Sequence, residues 1–321
     1  MNPKQDIPVE ALNKLLERAR LSTEQVNSRL QAALNPSYWL KLNPALAIES
    51  GMTSESLELQ SLDSQRREEI LSSYPDGRYF QTEPLISSTI IKQMRDTVEQ
   101  LRREGWPPVF GFVYDQFWLA SRTPSLKYLL TSVLGENYRQ TSHIWTYYVP
   151  THSGATGWPP HIDGQREGER VTVWIPLSDA TLNNGCMYLI PYHLVPQEIA
   201  KTFGALKTLD VQDVTALLQN TRPLPVRAGS ILCWDYGVIH WGGRSSQAEH
   251  PRISLGMSFI GEQTEPTKKE PPLFDVRSDL PTFSERLQMI GKGILTYQSR
   301  EPLMFRFREL AERLVENTTV S

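Results

Sequence analysis

The stretch Trp158-Pro159-Pro160-His161-Ile162-Asp163-Gly164 contains a His-x-Asp pair. Along an extended strand, residues two apart point to the same face, so His161 and Asp163 can converge on one point. An imidazole nitrogen and a carboxylate oxygen are two of the three ligands in a 2-His-1-carboxylate triad, which leaves open positions on a non-haem Fe(II). The third ligand has to come from a distant part of the chain. His240 is the best candidate. It stands in Gly237-Val238-Ile239-His240-Trp241-Gly242-Gly243, after the strand-like run 229–234, and glycines beside it let chains approach closely. His193 is the second candidate, while His143, His152 and His250 read as surface or supporting residues. Taken alone, His-x-Asp is a common pair that reads equally well as a solvated loop.

Its surroundings are more specific. The segment 171–191 carries Trp174, Asp179-Ala180, Asn184-Gly185 and Ile190-Pro191, and Tyr192-His193 follow. Taken with His161 and Asp163 before it and His240 and Arg252 after it, this order of motifs resembles the phytanoyl-CoA dioxygenase family of Fe(II)- and 2-oxoglutarate-dependent oxygenases. The resemblance covers roughly residues 85–262. It implies a metal held by His161, Asp163 and His240, with 2-oxoglutarate and O2 as cosubstrates. In the family the counterpart of His193 closes a turn and does not bind metal. This sequence departs there, with Pro191-Tyr192-His193 where the family usually has Pro-Gly-Ser-His.

Arg252 lies in the apolar run 251–260, where an unpaired buried charge would cost several kcal/mol. Two readings satisfy it. One is a structural ion pair, with Asp179 or Asp235 as partner. The other is a bidentate fork for the distal carboxylate of 2-oxoglutarate, with Ser254 on the same strand face as a second donor. The family uses Arg-x-Ser for that purpose, which favours the second. The resemblance further implies decarboxylation of 2-oxoglutarate to succinate and CO2, coupled to oxidation of a substrate C–H, most simply hydroxylation. Relatives that halogenate replace the carboxylate ligand with a small residue, so Asp163 speaks against that chemistry. Trp174 is a candidate neighbour of 2-oxoglutarate, and Tyr148 and Trp158 are candidates for substrate contact. Tyr147, Trp234 and Trp241, also near the motifs, are further candidates for lining the mouth. Arg166 and Arg170 could recognise an anionic substrate, although the Glu/Arg-rich run that holds them reads equally well as a solvated face.

These residues need a scaffold. Between about residues 141 and 260, several short strand-like runs are broken by Gly, Pro and Asn, which suggests a mainly β core: a double-stranded β-helix or jelly roll with a mouth between two sheets. Residues 141–149 read as the strand leading into the metal loop, and 109–114 as another strand. Helices are expected at 8–34, ended by Asn35-Pro36, from Ser87 or Ser88 to Gly105, and at 126–134, 283–296 and 302–316. The insert 196–220 is expected to be partly helical and placed to cover the mouth. The resulting division is a helical N-terminal extension over 1–84, the oxygenase core over 85–262, and a linker with C-terminal helices over 263–321.

Composition narrows the functional class. In 321 residues, 39% are hydrophobic and 21% charged, the net charge is −3, and no apolar run approaches the ~20 residues of a membrane span. There is no basic stripe for nucleic acid. The N-terminal residues lack the apolar core of a signal peptide, which with the free-thiol reading of Cys186 and Cys233 predicts a reducing, cytoplasmic setting. The expected partner is a small molecule, secondary-metabolite or lipid-derived. Two alternatives share the same triad: a cupin-like metalloenzyme that does not use 2-oxoglutarate, and a non-catalytic ligand-binding protein.

Overall fold

The computed structural model describes residues 20–152, 154–164, 168–195, 211–246, 248–298 and 301–316. The chain divides into two compact units, one formed by Ala45–Leu280 and the other by Met1–Pro44 with Pro281–Ser321. The boundaries expected at 84 and 262 both fall inside the larger unit.

In that unit the strands are β1 (Tyr79–Gln81), β2 (Arg139–Val149), β3 (Arg170–Pro176), β4 (Met187–Ile190), β5 (Arg222–Leu224), β6 (Leu232–Asp235), β7 (Ile239–Gly242), β8 (Arg252–Ile260) and β9 (Phe274–Asp275). They form a six-stranded sheet in the order β1-β6-β3-β8-β2-β9 and a three-stranded sheet in the order β5-β4-β7. Every pairing is antiparallel. Trp174, Leu232 and Trp234 of the large sheet share one buried apolar cluster with Met187, Leu189 and Leu224 of the small sheet, so the two sheets pack face to face. The core is therefore mainly β, as expected.

Register decides which side chains look into that interface. Tyr147 pairs with Ser254 and Val149 with Arg252. Across the sheet, Trp174 pairs with Gly256 and Leu232, and Thr172 with Trp234. Paired residues share a face, and a one-residue slip would turn all of them outward. On the opposite face Val171, Val173, Ile175, Leu255, Met257 and Phe259 are fully buried. The helix Ser88–Arg103 reaches that side, where Arg102 lies over the Tyr148 ring, and Ile91, Met94, Val98 and Leu101 form the helix's buried stripe.

Two local expectations differ from the structure. Residues 109–114 form no strand; Pro108–Val113 is a 3-10 helix with every residue from Val109 to Val113 buried. A short, wholly buried apolar run has no periodicity to separate strand from helix, and Pro108 at its first position favours the helical turn. Asn35-Pro36 ends one helix but also begins the next, Pro36–Leu42, because the Asn35 side chain accepts from the Ser37 amide at 3.0 Å.

In the smaller unit, Thr23–Ala33 starts with a capping box between Ser22 and Gln25. Phe283–Tyr297 starts with another between Thr282 and Glu285, and Arg308–Glu316 follows after a 3-10 turn. Residues 8–19 of the expected first helix, and 196–210 of the insert, lie outside the described residues; the rest of the insert includes the helix Val211–Asn220.

Candidate metal centre and its cavity

His161 and His240 meet across an isolated antiparallel bridge, exchanging amide-to-carbonyl hydrogen bonds of 3.1 and 3.0 Å. His240 comes from β7, whereas His161 and Asp163 come from the loop before β3, which the Asp163 amide ties to the Tyr236 carbonyl at 3.0 Å. Each imidazole is oriented from behind. His161 Nδ1 lies 2.7 Å from the Pro159 carbonyl and His240 Nδ1 lies 2.9 Å from the Val238 carbonyl. A carbonyl only accepts, so both Nδ1 atoms carry the proton and both Nε2 atoms present lone pairs. Metal-ligating histidines are commonly held in this way.

Both Nε2 atoms lie 3.6 Å from Asp163 Oδ1. Two bonds of about 2.1 Å span at most ~4 Å, so one ion can bridge either pair. Among the described residues, His161, Asp163 and His240 form the group of side chains placed to hold a metal, with donor atoms within 4.8 Å of one another. The second carboxylate oxygen is engaged elsewhere: Thr172 Oγ1 donates to Asp163 Oδ2 at 2.7 Å and Trp234 Nε1 donates to it at 3.1 Å. Burial pushes the Asp163 carboxyl up, but the facing His240 and His161 and these two donors outweigh it and hold the group below the usual carboxylate range.

A small, partly open cavity lies beside the cluster. His161, His240 and Trp234 line one part of it, and Arg252, Gly242 and Met187 another. Three aromatic rings complete the lining: Trp158, 5.8 Å from the His161 ring; Tyr147, 5.0 Å from Trp158; and Trp174, 5.8 Å from the Arg252 guanidinium.

Arg252 is 1% exposed, and no described carboxylate pairs with it. The ion-pair reading therefore fails: Asp179 instead accepts from the Ala228 amide, and Asp235 from the Gly237 amide. Arg252 Nη1 donates to the Gly185 carbonyl at 2.7 Å, and Nε has no partner. Gly185 reaches this position with φ +81°, where a Cβ would come within 2.2 Å of the Gly243 carbonyl oxygen, so the Asn184-Gly185 turn requires glycine. Burial pushes the Arg252 guanidinium down to about 10. A buried cation without a counter-ion, facing a cavity, suits an anionic ligand.

The other expected site residues are placed as follows. Ser254 lies on the Arg252 face with its Oγ buried and unpartnered. Trp158 and Trp174 line the cavity. Tyr148 does not, because its ring is on the opposite face of β2, 3.4 Å from the Arg102 guanidinium; Tyr147 takes the inward place. Arg166 lies outside the described residues. Arg170 is buried in a pair with Glu270 at 2.8 Å and is not free to meet a substrate. His193 is exposed in a 3-10 turn, as are His152 and His250 on the surface. His143 is half-buried, with Nδ1 3.5 Å from the Tyr236 hydroxyl. Thr172 and Met187 had no motif to mark them; Thr172 carried only strand parity with Trp174, and Met187 is brought in by its cross-strand pairing with Gly242.

Residues 109–253 match the family model of phytanoyl-CoA dioxygenase (PhyH). That segment belongs to the PhyH family. No curated protein matches the chain. Among solved structures, the non-heme alpha ketoglutarate dependent epimerase SnoN from nogalamycin biosynthesis is similar with a TM-score of 0.51 and 17% identity, over 65% of this chain and 91% of that one. The nickel complex of the non-heme monooxygenase ThoJ is similar with a TM-score of 0.53 and 18% identity, over 73% of this chain and 99% of that one. Its apo form gives 0.52 and 15% identity, over 77% and 99%. At these identities the likeness concerns the fold alone. Among the described residues, no helix is long and apolar enough to cross a membrane.

Proposed function

We propose that this chain is an Fe(II)- and 2-oxoglutarate-dependent oxygenase that oxidises an unactivated C–H of a small molecule, most simply by hydroxylation. Its core is taken as a double-stranded β-helix over residues 85–262, with 1–84 and 263–321 as additions. The observation that carries the reading is a single cavity lined at once by the two histidines of the donor cluster and by the unpaired, buried Arg252. Membership of residues 109–253 in the PhyH family supports it. A buried guanidinium lacking a counter-charge beside the donor cluster favours an anionic cosubstrate over a metalloenzyme that takes none.

His161 Nε2, Asp163 Oδ1 and His240 Nε2 would hold the iron, which suits their mixed nitrogen and oxygen donors and leaves positions open. Bound iron supplies the activation of O2 and the oxidative decarboxylation of 2-oxoglutarate to succinate and CO2. The chain's own contribution is positional. Arg252 would bind the distal carboxylate of 2-oxoglutarate, with the unpartnered Ser254 Oγ as second donor. Trp174 would pack along the cosubstrate, and Trp158 beside His161 would face the substrate. The Pro159 and Val238 carbonyls keep each imidazole in the tautomer that leaves Nε2 free. The substrate is proposed to be secondary-metabolite or lipid-derived, and the setting cytoplasmic. SnoN is described as an epimerase and ThoJ as a monooxygenase, so one fold accommodates more than one outcome.

Calorimetric titration of 2-oxoglutarate into nickel-loaded protein tests this reading without turnover. Binding in the wild type that is lost in His161→Ala and weakened at least tenfold in Arg252→Met supports it. No binding to the wild type refutes it.

A further inference from the structure

Asp163 has two oxygens, and the two hydrogen-bond donors that reach its side chain both go to the same one. Thr172 Oγ1 is 2.7 Å and Trp234 Nε1 is 3.1 Å from Oδ2, while Oδ1 faces His161 and His240 Nε2 at 3.6 Å each. With Oδ2 occupied by both donors, Oδ1 is left to the two imidazoles. Strand register produces the convergence. Thr172 of β3 and Trp234 of β6 are directly paired, so their side chains project side by side toward the loop that carries Asp163. Trp234 also packs on the second ligand: its ring centroid lies 4.5 Å from that of His240, tilted by 42°. It therefore touches two of the three donor residues, and no family motif marks it.

We propose that Trp234 and Thr172 are positioning residues that hold Asp163 Oδ2 away from the donor cluster, so that the carboxylate presents Oδ1 alone. The inference rests on the metal-binding reading above. Without either donor the carboxylate is free to rotate about its Cβ–Cγ bond, so that Oδ1 is no longer aimed in advance at the two Nε2 atoms and metal binding weakens. Trp234→Phe removes the N–H but keeps a ring against His240. Thr172→Val removes the hydroxyl at nearly constant volume, and Thr172→Ser retains it. Removing such a supporting donor costs about 10–100-fold in metal affinity.

The test is Co(II) titration of each protein, read by calorimetry and by the visible d–d absorption of the bound ion, with circular dichroism as a check on folding. The expected result is 10–100-fold weaker Co(II) binding and an altered visible spectrum in Trp234→Phe and Thr172→Val, with wild-type affinity and spectrum in Thr172→Ser. If Trp234→Phe fails to fold, the Thr172 pair gives the answer alone. Wild-type affinity and spectrum in both deletion variants would overturn the proposal while leaving the metal site intact. Weaker binding with an unchanged spectrum and no rescue by serine would overturn it too, reducing both residues to packing. A wild type that binds no Co(II) would overturn this inference together with the proposed function.

Discussion

Replacing Arg252 with methionine separates the anion-binding reading from turnover, because the prediction is about stability. Burial pushes the guanidinium from the ordinary arginine range down to about 10. At 1.36 kcal/mol per pKa unit, carrying that charge costs the ligand-free fold on the order of 3 kcal/mol. Below pH 10 the group is charged in the folded and unfolded chain alike, so the cost is fully present at neutral pH; it is relieved only as pH rises through about 10 toward the unfolded value. Arg252→Met removes it, but leaves the Gly185 carbonyl without its donor, which costs about 1–3 kcal/mol. The variant should therefore be between equally stable and about 2 kcal/mol more stable than the wild type. A ligand that supplies the missing negative charge acts in the opposite sense. At a hundredfold excess over the wild-type Kd, 2-oxoglutarate should add about 2.7 kcal/mol to nickel-loaded wild type, a rise of about 5–10 °C in Tm, and no more than about 1.4 kcal/mol to Arg252→Met, whose Kd is at least tenfold higher. Differential scanning calorimetry of both proteins, with and without 2-oxoglutarate, measures all four values. A variant destabilised by 3–5 kcal/mol, as when a buried ion pair is broken, that 2-oxoglutarate still stabilises as much as the wild type would refute the reasoning.

Other predictions follow from the same geometry. Gly242→Ala would place a methyl 2.9 Å from Arg252 Nη2 and 2.9 Å from the Gly157 Cα, so it should raise the Kd for 2-oxoglutarate more than tenfold by calorimetry while Ni(II) still binds. Glu270→Gln removes the buried carboxylate that pairs with Arg170 and should cost about 3–5 kcal/mol in urea unfolding at pH 7. Burial pushes the Glu270 carboxyl up, but Arg170 and the Thr267 amide outweigh it and hold the group below the usual range. Its stabilising contribution is thus present above the unfolded glutamate pKa and lost as pH falls through the lower folded one. Wild type and Glu270→Gln should accordingly converge in stability as the medium is acidified below about pH 4.

What the sequence revealed about the site depended on residue type. His161 and Asp163 could be picked out only through the ordered motifs around them, and His240 because it ends a strand-like run flanked by glycines; the fold brings the three together across a bridge between distant segments. An arginine in an apolar strand announces a partner, but not whether that partner is protein or ligand. Only the positions of Asp179 and Asp235 decide that. Parity was the main obstacle. Tyr147 and Tyr148 are chemically equivalent neighbours, and the pairing of Tyr147 with Ser254 is what sends one inward and the other toward Arg102. That register is fixed by long-range contacts and leaves no local trace. Thr172 was obscure for the same reason, and Trp234 could be named as a candidate for the mouth but not as a donor to Asp163, since that contact depends on its cross-strand pairing with Thr172. The Pro108–Val113 turn escaped because uniform burial erases periodicity.

The most direct test of the central claim is succinate formation from 2-oxoglutarate by anaerobically Fe(II)-loaded protein on admission of O2, beside a His161→Ala control. Slow succinate release by the wild type is expected even without added substrate, absent from the control and abolished by chelation of the iron. Equal succinate in both proteins, or none from a wild type shown to bind iron and 2-oxoglutarate, would contradict it.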